Sequence, residues 1–310
     1  MISPTPPTPP DRAAASWPPA DLEGRLRAFL AEDLGSGDVT ADAVVPADAT
    51  ATARLTAKGA GVVCGADLVE RVVRLLDPAA IAEELLADGT GVRPGSVVAV
   101  VRGRARALLA AERTLLNLVQ RMSGVATLTR RFVDAVAGTD AAILDTRKTA
   151  PGLRPFDKRA VAAGGGVNHR TGLWDLVLVK SNHLIFGAVP RTGAPRPIEA
   201  AIAAARAAPA SRSLQLEIEV FDVDEALRAA AAGADLVLLD NFEPARVREA
   251  VATVRAHHSR EQVGLEASGG ITLENVRAFA EAGVDRISVG ALTHSAAALD
   301  LSLSFARAPV

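Results

Sequence analysis

A single cysteine, Cys64, in 310 residues excludes an internal disulfide and is in keeping with a reducing, cytoplasmic setting. Tyrosine is absent, so no phenol serves as a catalytic acid. Long apolar runs are lacking too, because the 49% hydrophobic content is inflated by alanine, and no segment reads as a membrane span. Nor is there an excess of one charge: the balance is −2 with a pI near 6.2, which gives no overall field for nucleic acid. Any anion binding must therefore be local. The first 19 residues hold seven of the 18 prolines and no apolar stretch, so residues 1–19 read as a disordered tail rather than a signal peptide or anchor.

After the tail, a helix is expected over 21–34, ending at the Gly35-Ser-Gly-Asp38 turn. A modest α/β layer follows, with short strands at 53–57, 61–64 and 97–101 around a helix at 66–76. A longer helix over 105–122 carries Leu108, Leu109, Leu115, Leu116, Val119 and Met122 on one side and Arg106, Arg113 and Asn117 on the other. Beyond it the character changes. Apolar runs at 142–145, 176–180, 214–220, 236–240, 263–267 and 286–289, with a weaker seventh near 167–170, alternate with helical segments, the signature of parallel βα units. Each run ends in a polar residue or glycine: Asp145-Thr-Arg-Lys148, Lys180-Ser-Asn-His183, Glu219, Asp240-Asn241, Ser268-Gly-Gly270 and Gly290. In a βα barrel the carboxyl ends of the strands share one face, where catalytic groups collect, so these ends are expected to converge. Polar loop starts alone would explain one such end; six with complementary charges point to a site.

Between Asp145 and His183 seven Lys or Arg stand against three acids, a local balance of +4 within a chain of −2, so the remainder carries −6. Such a concentration suits a ligand with several anionic groups, since arginine forks pair carboxylates and phosphates bidentately. Arg147, Lys148, Arg170 and Lys180 follow or end apolar runs and are the candidates. Lys158 and Arg159 lie on a helix and read as surface charge. Ser268-Gly269-Gly270 and Gly290 join strands to helices, where a barrel cradles phosphate with backbone amides. Glu219 and Asp240 suit a metal–pyrophosphate complex or the positive charge growing on a ribose ring. Glu217 shares the strand face of Glu219, and periodicity leaves open which bears the main role. His294, at the start of a last helical segment, is open between cap and ligand.

The ordered blocks Glu32-Asp-Leu-Gly-Ser-Gly-Asp-Val-Thr40, Ala111-Glu-Arg-Thr-Leu-Leu-Asn-Leu118, Leu144-Asp-Thr-Arg-Lys-Thr-Ala-Pro-Gly152, Gly164-Gly-Gly-Val-Asn-His-Arg170, Leu239-Asp-Asn-Phe242, Glu266-Ala-Ser-Gly-Gly270 and Val289-Gly-Ala-Leu-Thr-His294 resemble the quinolinate phosphoribosyltransferase family. The resemblance implies an N-terminal α/β sandwich (20–116), an open seven-stranded TIM-like βα barrel (117–295) and a C-terminal helix (296–310) that returns to the first domain. It also implies transfer of phosphoribosyl from phosphoribosyl pyrophosphate to quinolinate with decarboxylation, Mg2+ accompanying the pyrophosphate, and a homodimer with shared sites. By motif, Arg147, His169, Arg170 and Lys180 would bind quinolinate with Arg113 from a partner subunit, and Lys148 would lie near the reacting centre. Glu219 and Asp240 would face ribose and metal, while Ser268, Gly269, Gly270, Gly290 and His294 would hold the ribose phosphate. The family's usual Lys-Asp-Asn-His reads Lys180-Ser181-Asn-His183 here, one carboxylate fewer. Three alternatives remain at this point: a paralogue with another substrate, a Schiff-base aldolase using Lys180, and a non-catalytic phosphometabolite sensor.

Overall fold

The computed structural model describes residues 17–186 and 197–307. They form two compact units. One holds the chain up to residue 130 together with 149–165 and 292 onward, and the other holds 131–148 and 166–291. This division falls elsewhere than the 116/117 boundary expected from sequence. Most of the expected tail, residues 1–16, lies outside the described residues. Trp17, also assigned to it, is packed: its ring meets Phe156 edge-on with centroids 5.7 Å apart, and the Arg159 guanidinium lies 4.3 Å from the ring centroid.

In the first unit, helix α1 (Leu22–Leu34) buries Leu22, Leu26 and Leu30, one residue per turn. Helix α2 (Val39–Val44) starts where the Asp38 carboxylate accepts the N–H groups of Thr40 and Ala41. The sheet is antiparallel, in the order β12-β1-β5-β3, from β1 (Thr50–Ala57), β3 (Ile81–Leu85), β5 (Val97–Arg104) and β12 (Leu301–Arg307). On β1 the alternate residues Ala51, Ala53, Leu55 and Ala57 are buried. Helix α3 (Asp67–Arg74), with Leu68, Val69, Val72 and Val73 inside, packs on this sheet, and β2 (Gly61–Val62) pairs separately with β4 (Gly91–Val92). Helix α4 (Ala105–Ala135) runs 31 residues, past the expected stop at Met122. Nothing in 123–135 breaks it, and the hydroxyls of Thr127 and Thr129 donate to the carbonyls of Ser123 and Val125, four residues back. Helix α5 (Arg154–Ala163) belongs to the same unit.

The C-terminal segment corrects an expectation. Residues 301–307 form a strand and not a helix, paired with β1 from Ala57 opposite Leu301 to Ala51 opposite Arg307. The alternation Leu301-Ser-Leu-Ser-Phe305 has the strand period, and the free edge of β1 supplies the hydrogen-bonding partners.

The second unit is a parallel βα structure. Its strands are β6 (Ala142–Leu144), β7 (Val177–Val179), β8 (Leu216–Val220), β9 (Leu236–Asp240), β10 (Gly264–Ser268) and β11 (Arg286–Ser288), in the order β6-β11-β10-β9-β8-β7. The expected seventh strand is a single parallel bridge, Val167 to Leu144. The first strand is thus flanked by the last strand and by the bridge, while no pairing joins the bridge to β7 among the described residues. That is an open, TIM-like barrel. Helices α6 (Ser181–Phe186), α7 (Ile198–Ala207), α8 (Val223–Ala231), α9 (Pro244–Arg255), α10 (Val276–Glu281) and α11 (Ala291–His294) come from the connections that follow the strands. Ile218, Val220, Val237, Leu239, Leu265, Ala267 and Ile287 are buried on one face of the sheet, and Leu176, Leu178, Leu236 and Leu238 cluster on the other. Strands covered on both faces explain why they read as continuous apolar runs.

In the first unit Gly124, inside α4, has no room for a side chain: a Cβ there would overlap the carbonyl oxygen of Ala297, a backbone atom that cannot rotate away. Gly124→Ala is therefore expected to lower stability by about 1–3 kcal/mol, the usual cost of overpacking. Urea unfolding followed by circular dichroism reads this directly, and an unchanged midpoint contradicts it.

Candidate active site at the strand ends

Parallel pairing sends the carboxyl ends of all six strands the same way. Asp240 stands opposite Ser268, and Ser268 opposite Ser288. Val179 stands opposite Ile218, which brings the next residues, Lys180 and Glu219, side by side. Lys180 Nζ lies 3.1 Å from Glu219 Oε1, and the Ser181 N–H donates to Oε2 at 2.9 Å. Burial opposes charge on Glu219, but the Ser181 amide and the Lys180 ammonium outweigh it and hold its carboxyl below the usual range. Asp240 is displaced upward by burial and by the negative charge of Glu219, with Lys180, Asn241 and Lys148 pulling the other way. The two acids are therefore not equivalent.

On the cationic side, Arg170 is buried at 6% exposure, and its guanidinium reaches the Leu176 carbonyl only at 3.4 Å. Burial lowers its pKa and the charge of Arg147 lowers it further, which places two guanidinium groups within each other's field. No carboxylate among the described residues forms an ion pair with Arg147. Glu217 and Asp175 act on Arg170 in the opposite sense without cancelling the shift, and like charges held near one another are stabilised further by an arriving anion.

His169 lies deeper. Asp145, fully buried, accepts the His169 N–H at 2.8 Å and so fixes the backbone where the bridge strand ends. The ring Nε2 is 3.2 Å from Glu217 and 3.3 Å from Glu266, both with no exposed surface, and Arg286 Nε meets Glu266 at 3.0 Å. Burial disfavours a charged ring, yet Glu266 and Glu217 together raise it to about 9. Against a second ring proton stands the Arg170 amide, which donates to Nδ1 at 2.7 Å. That amide is held by the backbone and leaves no space for a proton on Nδ1, so Nε2 carries the ring hydrogen in this geometry. Both ring nitrogens are thus engaged inside the protein. A direct bond from His169 to a ligand requires one of these contacts to be given up. Glu217 is hereby distinguished from Glu219: the first belongs to the buried network, the second to the strand-end site. Glu266 and Arg286 had no role in the sequence reading, although a charge in the middle of a buried strand is a legible signal.

Gly269 and Gly270 take φ values of 98° and 62°, a left-handed turn leading away from Ser268. A Cβ on Gly270 would meet no atom within 4 Å, so this backbone is open to a ligand. Gly290 follows β11 in the same unit. Arg113 and His294 belong to the other unit. Arg113 lines a cleft of about 450 Å³ there with Glu32, Asp33, Asn117 and Phe156. His294 ends the four-residue α11 rather than opening a longer helix, and its Nδ1 is 2.6 Å from Ser295 Oγ.

Two residues read as surface charge are not. Lys158 is 2% exposed. Arg159 spans Asp67 and Asp88 at 2.6 Å each while covering Trp17. Both lie on a face of α5 that packing, invisible to helical periodicity, turns inward.

A parallel barrel with cations, carboxylates and a glycine turn at its strand ends defines the class: a βα-barrel protein equipped for a multiply anionic ligand. The descriptions "Quinolinate phosphoribosyl transferase, N-terminal domain" and "C-terminal domain" match residues 38–123 and 125–304. A relative from Mycobacterium leprae, the nicotinate-nucleotide pyrophosphorylase [carboxylating], is 43% identical over 283 residues, covering 90% of this chain and 95% of its own. The probable enzyme of that name from Bacillus subtilis is 40% identical over 91% and 92%. The crystal structure of NadC from Streptococcus pyogenes superposes with a TM-score of 0.85 at 33% identity, covering 95% of this chain and 99% of that one. The Francisella tularensis nicotinate-nucleotide pyrophosphorylase gives 0.82 at 37% identity, with 93% and 97% covered. The chain belongs to the quinolinate phosphoribosyltransferase family.

The split between the strand-end acids is testable. Glu219→Gln removes the charge that raises Asp240 and frees Lys180, so the Asp240 pKa is expected to fall. Carboxyl carbon NMR titration measures it; an unmoved or higher value contradicts the coupling.

Proposed function

We propose that the protein transfers phosphoribosyl from phosphoribosyl pyrophosphate to quinolinate, yielding nicotinate mononucleotide, pyrophosphate and CO2. The observation that carries this reading is the Arg147–Arg170 pair, held within one field with no acid ion-paired to Arg147, next to a strand end that bears Lys180, Glu219 and Asp240. Quinolinate has two adjacent carboxylates, the charge and shape that such a pair of forks receives. With both carboxylates held, the ring nitrogen is directed at C1 of the ribose. The nitrogen lone pair forms the new bond to C1 as the bond from C1 to the pyrophosphate oxygen breaks. Glu219 and Asp240 stabilise the positive charge that grows on the ribose ring during this exchange. The C2 carboxylate then leaves as CO2, its bonding electrons remain on C2, and a proton replaces it. Lys148, at the mouth beside Asp240, offsets the negative charge at that stage. Amides of the Ser268-Gly269-Gly270 turn and of Gly290 hold the 5′-phosphate.

Glu219 and Asp240 also fit Mg2+, because they are hard oxygen donors and Asp240 is raised by burial and then by its neighbour's charge, the second of which a bound cation relieves. Mg2+ bound with pyrophosphate would neutralise charge on the leaving group. A Schiff-base role for Lys180 is disfavoured by its ion pair with Glu219 at 3.1 Å, which an attacking amine would have to leave.

The working assembly is a homodimer in which Arg113 serves the site of the other subunit. Leu173 and Trp174, in the connection before β7, and Phe186, the last residue of α6, are 71%, 72% and 86% exposed, apolar surface that a second copy would cover. No helix among the described residues is long and apolar enough to cross a membrane. A cytoplasmic setting remains part of this proposal.

Quinolinate-dependent pyrophosphate release is the primary test, and no turnover with quinolinate refutes the reading. Arg147→Ala is expected to raise the KM for quinolinate about tenfold or more, the loss of a charged hydrogen-bonding partner, and far more than the KM for phosphoribosyl pyrophosphate; equal effects contradict the assignment. Mixed dimers of Arg113→Ala with Lys148→Ala subunits are expected to regain activity, since one intact site then reassembles. If subunits exchange and activity stays lost, Arg113 acts within its own chain.

A further inference from the structure

Asn241 is the one non-glycine residue with a positive φ among the described residues, at 57°. Its backbone is therefore in the left-handed region, which side chains other than glycine and asparagine adopt at a cost. Three contacts fix that conformation here. The Asn241 N–H donates to the Ser268 carbonyl at 2.8 Å, one residue past the last paired position of β9 and β10. Its Nδ2 donates to Asp240 Oδ2 at 2.8 Å. Its Oδ1 lies so close over Gly269 that a Cβ at 269 would overlap it. One short side chain thus touches both the strand-end acid and the glycine turn.

We propose that Asn241 is a positioning residue that ties Asp240 to the Ser268–Gly270 turn and sets the separation between them. Resting on the function proposed above, this gives the phosphoribosyl substrate two anchor points at a fixed spacing, the pyrophosphate end at Asp240 and the 5′-phosphate at the glycine turn. Asn241 acts through these groups and takes no part in bond making. The same contacts make glycine necessary at 269, because the space above it is already occupied by the asparagine amide.

The experiment compares wild type, Asn241→Gly and Asn241→Ala in steady-state kinetics with both substrates and in thermal unfolding. Glycine accepts the left-handed backbone without strain, so Asn241→Gly is expected to keep the wild-type melting temperature. It is expected to raise the KM for phosphoribosyl pyrophosphate about tenfold, as loss of one hydrogen bond to a charged group implies, with the quinolinate KM within twofold. Asn241→Ala is expected to show the same KM change together with a lower melting temperature. An unchanged phosphoribosyl pyrophosphate KM in Asn241→Gly overturns the proposal, as do losses in both KM values that follow melting temperature alone. Should wild type release no pyrophosphate, the functional reading fails, and calorimetric binding of Mg2+-phosphoribosyl pyrophosphate then judges Asn241 by itself. Weaker binding by Asn241→Gly supports the positioning role; equal binding, or none by wild type, overturns it.

Discussion

Six strands that run the same way and pair in register are the constraint on which the barrel unit depends. Because a strand presents alternate residues to each face, register decides which side chains meet. The pairing of Val179 with Ile218 makes Lys180 and Glu219 neighbours, and that of Asp240 with Ser268 puts an acid beside a glycine turn. A slip of one residue at either joint would send these groups to the opposite face. The arrangement of these groups is therefore a consequence of strand pairing more than of the loops that follow.

Charge inside the barrel follows from the same alternation. On β8 the residues Glu217 and Glu219 share a face, but they occupy different depths and have different work. Glu219 meets Lys180 at the rim, whereas Glu217 faces His169 in a buried network with Glu266 and the largely covered Arg286. Burying four ionisable groups costs desolvation, and only mutual pairing offsets it. Such a network holds His169, and through its Nδ1 the Arg170 amide, in one position. The backbone of Arg170 is thus held from beneath by a buried network of charged groups.

Much of the barrel was legible because its strands are buried on both faces and so read as apolar runs closed by polar residues, interrupted only where Glu217 and Glu266 sit inside β8 and β10. Asp145, Lys180, Glu219, Asp240 and Ser268 each stand where an apolar run ends, and each proved to be at a strand end. Legibility failed where local pattern and packing part company. Lys158 and Arg159 follow helical periodicity that looks solvent-facing, yet α5 turns them inward. The C-terminal helix that the resemblance implies is a strand, whose period is present locally in Leu301-Ser-Leu-Ser-Phe305 but whose pairing partner, β1, lies some 250 residues earlier in the chain. Asn241 carried no signal beyond its place after Asp240, since a backbone dihedral leaves no mark in composition.

The order of the βα units, the polar strand ends and the family were determined by sequence alone, because periodicity, spacing and motif order are properties of the chain itself. Which of Glu217 and Glu219 lies at the rim, how His169 spends its two nitrogens, and why residue 269 must be glycine were decided only by tertiary structure. These depend on contacts between residues far apart in sequence, and those distances are set when the strands pair.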